Sequence, residues 1–477
     1  MVMEGLKLRP VRRARVASGV AIVPVMARPY PCPHGRCIYC PGGGQTPQSY
    51  VDRSPTVMRA ARVNYDPFKQ VWMRLHQHLM AGFFPSKVEM ILMGGTFTAM
   101  PFSYQEWFVR RAFDALNSFP GDEVRSNSLL EAHALNESAK ARCVALTIET
   151  RPDWAKEEHV DRMLYLGATR VEIGVQSPFD DVLERVRRGH TVRDVIESTR
   201  ILKDAGYKVC YHLMPGLPGS DLDRDVEAFR LIFEDPDFRP DMLKIYPTLV
   251  LPGTPLYEMW RKGEYRGLTE EETLEYLIKV YRLLPRWVRI QHVQRDIPEE
   301  YIAAGPRRRN LRQMVEHYFQ ERGERINEIR YREVGHAMAR GIEPDYDSVR
   351  MERIDYEASS GYEVFLSLVD DNDALMGVLR LRKPSVLAHR WEVNERTAIV
   401  REIHVYGPLV PVGEPPREGA QHRGFGRWLM SEAERIAVEE LDARRMLVIS
   451  GVGARNYFRK LGYELIRGSF YVAKDLS

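Results

Sequence analysis

Residues 18–44 read SGVAIVPVMARPYPCPHGRCIYCPGGG. The first ten of these form an apolar, β-branched run of strand length. Directly after it, three of the chain's five cysteines fall within nine positions, Cys32, Cys37 and Cys40, packed with Pro and Gly. A strand that runs straight into a thiol-bearing loop predicts a βα unit with its chemistry at the strand's C-terminal end. Thiolates spaced C-x4-C-x2-C can hold an iron–sulfur cluster or zinc. A structural zinc would recruit a fourth ligand, for which His34 is placed, so zinc stays open on spacing alone. Three thiolates on a [4Fe–4S] cluster would instead leave one iron free for a further ligand. Gly42, Gly43 and Gly44 would let that ligand approach the backbone closely.

The same rhythm recurs outward from this stretch. VEMILMGG (88–95), VALTIET (144–150), RVEIGVQS (170–177), KVCYHLMPG (208–216) and MLKIYPTL (242–249) read as strands. Between them lie helix-length periodic segments such as SYQEWFVRRAFDALNSF (103–119) and TVRDVIESTRILKDAGY (191–207). Alternating strands and helices predict an α/β fold with a parallel sheet, and six units predict a partial (β/α)6 barrel. Every unusual short motif (the cysteine loop, GGTFT, ETRPD, QSPFD and MPGLPG) follows a strand, so all share one edge. Cys143 and Cys210 occupy apolar strand positions and read as small buried hydrophobes.

At 477 residues, 44 % apolar and 28 % charged, the chain is expected to form two or three domains. It has no apolar run of membrane-spanning length and no signal-peptide core, so a cytoplasmic protein without a membrane partner is expected. Few and clustered cysteines exclude a disulfide scaffold. Net charge is only +3, yet residues 1–28 carry six Lys or Arg against one Glu. Arg282–Arg312 holds eight Arg and three acids, including Arg307, Arg308 and Arg309. Both segments suit phosphate contacts, or else a salt-bridged surface.

Residues 1–17 form a basic N-terminal segment, 18–250 the barrel, 251–350 a basic, Pro-containing linker subdomain, and 351–477 a second domain. In that last part YEVFLSLVDD, ALMGVLRLR and TAIVREIHVYG predict strands. QHRGFGRWLM (421–430) then places Gly424 and Gly426 at the start of a helix, where unshielded N–H groups suit a pyrophosphate. Glu402 is a lone carboxylate that could orient water or act as a base.

The cysteine loop and the MGGTF turn resemble the radical S-adenosylmethionine (SAM) superfamily. The second domain resembles the GNAT acetyltransferase fold. The ordered strings PCPHGRCIYCPGG, MRAARVNYDP, MGGTFT, TIETRPDW, LKIYPTLVLPGT, VQRDIP and NLR resemble the archaeal-type Elongator catalytic subunit, from about residue 10 to the end.

This resemblance implies that Cys32, Cys37 and Cys40 hold a [4Fe–4S] cluster and that Gly94, Gly95, Gln176 and Lys244 line a SAM pocket, Lys244 also in a catalytic role. It implies that Gln421, His422, Arg423, Gly424, Phe425 and Gly426 grip acetyl-CoA, with Tyr457 beside the thioester as a catalytic and cofactor-binding residue. Tyr246 is read either as lining the site or as core. The implied substrate is a tRNA anticodon stem-loop, contacted by Arg307, Arg308 and Arg309. Reductive cleavage of SAM would yield a 5′-deoxyadenosyl radical that takes hydrogen from the acetyl methyl. The resulting carbon would add to C5 of the wobble uridine, and thioester hydrolysis would leave a carboxymethyl group.

Departures from the family pattern are also expected to matter. ERINEIRYREVGH (324–336) lacks cysteines, so no linker zinc of the usual composition is expected, and the basic N-terminus looks short. A homodimer is left open. Competing readings are a protein lysine acetyltransferase using the GNAT domain alone, and a zinc-stabilised RNA-binding protein using Cys32, His34, Cys37 and Cys40.

Overall fold

The computed structural model describes residues 19–407 and 424–476. Its first sheet has seven strands: β1 (Ala21–Met26), β2 (Lys87–Met93), β3 (Arg142–Thr150), β4 (Arg170–Gln176), β5 (Lys208–Leu213), β6 (Met242–Ile245) and β7 (Arg289–Val293). They pair in sequence order, all parallel. Helices fill the crossovers. Val192–Asp204 is set by a capping box between Thr191 and Asp194 and buries Val195, Ile201 and Leu202 on the sheet.

The first six strands coincide with the six apolar runs of the sequence. The seventh corrects the six-unit expectation and extends the sheet into the stretch read as a linker. RIQHV has only two apolar residues and sits between Pro285 and Pro298 in an Arg-rich stretch, so its strand pattern is masked. The helices Glu270–Leu283 and Leu311–Glu321 likewise pack into the barrel core through Tyr276, Leu277, Val315 and Phe319.

The second sheet contains β8 (Arg350–Ala358), β9 (Gly361–Val369), β10 (Leu375–Lys383), β11 (Thr397–Val405), β12 (Arg445–Val448), β13 (Glu464–Leu465) and β14 (Val472–Asp475). Its order is β13-β14-β12-β11-β10-β9-β8, antiparallel except for β11 with β12. That parallel pair spans only Thr397–Val400 against Arg445–Val448, while β11 continues on β10 to Val405. The two strands therefore part, and the helix Phe425–Glu439 begins beside the free end of β11, with Gly426 facing Val405.

The two sheets are joined tightly. A Cβ on Gly451 would lie 2.1 Å from the Val144 carbonyl oxygen, and one on Gly453 would lie 2.5 Å from Arg142 Cβ. Ile399, Leu447, Ile449, Val452 and Tyr471 of the second half share the barrel's hydrophobic core. The β-bulge at Arg401 turns its guanidinium into this joint, where it pairs with Asp241 and Glu363. The second half thus docks where the barrel strands start (Arg142, Lys208, Asp241), opposite the rim that carries the cysteine loop. Among the described residues no helix is long and apolar enough to cross a membrane.

Candidate functional site

The cysteine loop closes over the C-terminal rim of the barrel. Gln48 Oε1 accepts from the Cys32 N–H at 2.9 Å, and Cys32 Sγ lies 3.5 Å from Thr96 Oγ1 in the turn after β2. Gly95 adopts φ +83°, and a Cβ there would stand 3.9 Å from Cys32 Sγ. Gly94 and Gly95 therefore bring the second strand's turn against the thiols, at backbone angles that L side chains avoid.

All three cysteines are free. Burial and the Cys37 thiolate push the Cys40 thiol up, with a smaller push from Cys32. Neighbouring thiols that disfavour one another's ionisation fit a cationic inorganic group.

His34 does not complete a zinc site. Its Nδ1 lies 2.6 Å from Arg151 Nη1, and arginine can only donate, so the ring proton sits on Nε2, which donates to Cys37 Sγ at 3.2 Å. Burial, Arg151 and Arg188 together lower the imidazole to about 3, so it stays neutral. A protonated Nε2 has no lone pair for a metal. The donor set is three sulfurs.

Below the loop, the barrel interior is polar. Lys244 Nζ sits 3.3 Å from Glu149 and pairs with Glu172. Tyr50 donates to Glu149 at 2.8 Å, His212 Nε2 lies 2.9 Å from Glu172, and Arg170 bridges Glu172 and Glu89. Burial opposes the Lys244 charge, but Glu172, Tyr246 and Glu149 outweigh it and hold the ammonium protonated. Burial likewise opposes ionised Glu172, while Lys244, His212 and Arg170 hold it low. Glu172, Cys210 and His212 lie close enough to share a metal ion, but the Lys244 ammonium already occupies that carboxylate. Tyr246 stands between the His212 and His292 rings, at 5.4 and 6.0 Å. Gln176, at φ +70°, ends β4 with its buried side-chain oxygen unpartnered. An orphaned acceptor at the C-terminal end of β4, on the rim that also carries Gly94 and Gly95, fits a polar ligand such as SAM.

The second site assembles at the start of the helix Phe425–Glu439. Gly424 is left-handed at φ +82°, and among the described residues no side chain caps the first turn. A Cβ on Gly426 would lie 2.5 Å from the Tyr457 hydroxyl, so the absent side chain is what lets Tyr457 reach the helix start. Uncapped N–H groups on a glycine-lined turn fit the pyrophosphate of acetyl-CoA. Burial raises the Tyr457 phenol, which therefore keeps its proton at neutral pH. Gln421, His422 and Arg423 lie outside the described residues. Glu402 is not available as a base. It accepts from Arg380 at 2.8 Å and pairs with Lys208 at 3.4 Å, and these outweigh burial to bring it to about 2.

The Arg282–Arg312 cluster is largely salt-bridged. Arg282 pairs with Glu324, Arg286 with Asp373 and Glu352, Arg289 with Glu333, and Arg312 with Glu328. Arg307, Arg308 and Arg309 are exposed; Arg308 pairs with Glu270 at 2.7 Å, and Arg309 has no ion pair among the described residues. Their segment wraps the barrel mouth. Arg295 donates to the Ser49 carbonyl, and Tyr301 donates to Asp52 at 2.8 Å.

Sequence patterns do not single out several of the site residues. Arg188, just past the short helix Asp180–Arg185, is a buried arginine that reaches Cys37, and Arg151, in the loop after β3, is one that reaches His34. Glu149, Glu172 and His212 alternate with apolar residues on inward faces of β3, β4 and β5. A polar residue recurring inside an apolar strand is the available signal.

Comparison with known proteins gives a consistent outcome. The radical SAM superfamily model matches residues 29–232, the radical SAM C-terminal domain 240–321, and the acetyltransferase (GNAT) family 324–463. The tRNA uridine(34) acetyltransferase of Methanocaldococcus jannaschii is 49% identical over 99% of this chain and 86% of its own length. Human Elongator complex protein 3 is 45% identical over 98% of this chain and 85% of its own length. The solved archaeal Methanocaldococcus infernus Elp3, lacking its residues 1–46, superposes with a TM-score of 0.85 at 44% identity, covering 96% of this chain and all of the other. A radical SAM domain carries a [4Fe–4S] cluster and SAM, and a GNAT domain uses acetyl-CoA, so these are the cofactors of this chain. The chain belongs to the Elongator complex protein 3 family, in which a radical SAM barrel and a GNAT acetyltransferase domain form one polypeptide.

Proposed function

We propose that this protein modifies the wobble uridine of tRNA, joining the methyl carbon of acetyl-CoA to C5 in place of one methyl hydrogen and the C5 hydrogen, with SAM as the net oxidant, and leaving, after thioester hydrolysis, a carboxymethyl group. One observation carries the reading: a three-thiol loop at a barrel mouth and an uncapped glycine helix start stand on one chain with a shared core. Uridine C5 resists ordinary polar acylation. Bound cluster and SAM supply one-electron chemistry that can activate a methyl C–H bond. Cys32, Cys37 and Cys40 hold the cluster. Backbone at Gly94 and Gly95, the free Gln176 oxygen and the Lys244 ammonium orient SAM. Gly424, Phe425 and Gly426, with Gln421, His422 and Arg423, bind acetyl-CoA, and the Tyr457 phenol donates toward the departing sulfur. Arg307, Arg308 and Arg309 at the rim contact tRNA phosphates, and the anticodon loop offers an unpaired base that can be drawn into the mouth.

The test uses anaerobically reconstituted protein, an anticodon stem-loop, SAM, a reductant and acetyl-CoA labelled with 13C in the methyl carbon. Label in the wobble nucleoside as carboxymethyluridine, dependent on SAM and lost in Cys37→Ser, is the expected result. Label on protein lysines alone, formed without SAM, would replace this reading with a protein acetyltransferase.

A further inference from the structure

The three thiols are not equivalent. Cys32 and Cys40 receive only hydroxyl neighbours, Thr96 at 3.5 Å and Ser49 at 3.6 Å. Cys37, which is 2 % exposed, receives two N–H groups, His34 Nε2 at 3.2 Å and Arg188 Nη1 at 3.7 Å. Both donors are locked from behind. Arg188 also donates to the Gly174 carbonyl at 2.7 and 3.3 Å, so its fork cannot swing away. His34 is fixed through Nδ1 by Arg151, which is itself held by the Arg188 carbonyl at 2.7 Å and by Asp153 through two bonds of 2.9 Å. Asp153, Arg151, His34 and Cys37 thus form a relay whose polarity is set by the guanidinium, which leaves the imidazole proton nowhere but on the sulfur side. Gly189 leaves room for the ring, since a Cβ there would lie 2.7 Å from His34 Cβ.

We infer that His34 and Arg188, with Arg151 as positioning residue, tune the cluster held by the cysteine loop by donating to the Cys37 sulfur. Reducing a cluster adds negative charge, and N–H donors to a ligating sulfur stabilise that added charge. The cationic Arg188 does so electrostatically as well, in surroundings where little water screens it. The donors therefore raise the midpoint potential and bring the reduced state within reach of a weaker reductant. Arg151 touches no sulfur and acts by holding the tautomer of His34.

The inference rests on the cysteine loop being the cluster site, and the experiment separates the two. Full-length protein is reconstituted anaerobically, iron and sulfide are counted, and the midpoint is read by electron paramagnetic resonance during a redox titration. His34→Leu and Arg188→Met are expected to take up the cluster with a more negative midpoint. His34→Gln, which keeps an N–H donor, and Arg188→Lys, which keeps the charge, should restore most of the shift. A tenfold change in the one-electron reduction equilibrium corresponds to about 59 mV. If His34→Leu fails to assemble a cluster, the Arg188→Met and Arg188→Lys pair decides the matter. Full clusters with an unmoved midpoint in Arg188→Met would overturn the inference while leaving the cluster site intact. A parent protein that takes up no iron would overturn the site itself.

Discussion

Two clusters of buried charge lie within one molecule, and they are built differently. At the joint between the sheets, Lys203, Arg380, Arg382 and Arg401 face Asp204, Asp241, Glu363 and Glu402. Arg382 makes five hydrogen bonds of 2.7–3.0 Å to Asp204, Glu363 and two carbonyls. Arg401 makes five of 2.7–3.1 Å to Asp241, Glu363 and the Tyr207 carbonyl. In the barrel interior Lys244 replaces the fork with a single ammonium, and both Glu172 Oε1 and Arg170 Nε lack a hydrogen bond. Charge balances in the first cluster, and Arg382 and Arg401 each use all five donors, although Arg380 Nη1 goes without a hydrogen bond; in the second, a carboxylate oxygen of Glu172 is left over. Guanidinium forks with every donor matched mark the brace, and an ammonium beside a spare carboxylate oxygen marks the barrel interior.

The hardest test of that contrast is Arg401→Met. It strands Asp241 and Glu363 in a dry joint, and a loss of about 3–5 kcal/mol is expected in urea unfolding. A smaller loss would mean that water enters the joint.

Acid should act on the same brace. Burial opposes the charges of Asp241 and Glu363, but Arg401 and Lys203 outweigh it and hold both carboxyls low, and Glu402 is held to about 2. Folded values below the unfolded ones mean that stability is complete above about pH 4.3 and drains away as pH falls further. Thermal melting between pH 7 and 3 should show the midpoint flat, then dropping; a flat profile throughout would contradict the pairing.

Lys244→Met probes the other cluster. SAM affinity is expected to fall about tenfold or more, the worth of one charged hydrogen bond. Calorimetric titration of the reconstituted protein reads it, and unchanged affinity would return Lys244 to a purely structural role. The mildest change is Arg307, Arg308 and Arg309 to Gln together. Melting should not move, while the salt slope of tRNA binding should shrink by about 0.7–0.9 for each phosphate that is no longer neutralised. An unchanged slope across a salt series would remove these residues from the tRNA surface.

The brace is invisible in the sequence, whereas the working rim is not. Cys32, Cys37, Cys40, Gly94 and Gly95 announce themselves because short-range spacing and glycine carry local chemistry. Arg401 and Asp241 are separated by 160 positions, and their meeting depends on a β-bulge that no periodicity reveals. β7 escapes because a five-residue edge strand with polar inward positions lacks an apolar signature. β8 escapes for a related reason: MERIDYEA alternates charges on an edge that is half exposed. Arg151 and Arg188 are hidden among many arginines, since burial alone distinguishes them.

Gly451 and Gly453 fit one half of the protein against the other with no atom to spare. A joint keyed backbone to backbone is a rivet and not a hinge, and it fixes the spacing between the cysteine loop and the glycine turn. On the proposed reaction, the acetyl carbon would then have to cross that spacing on the coenzyme that bears it.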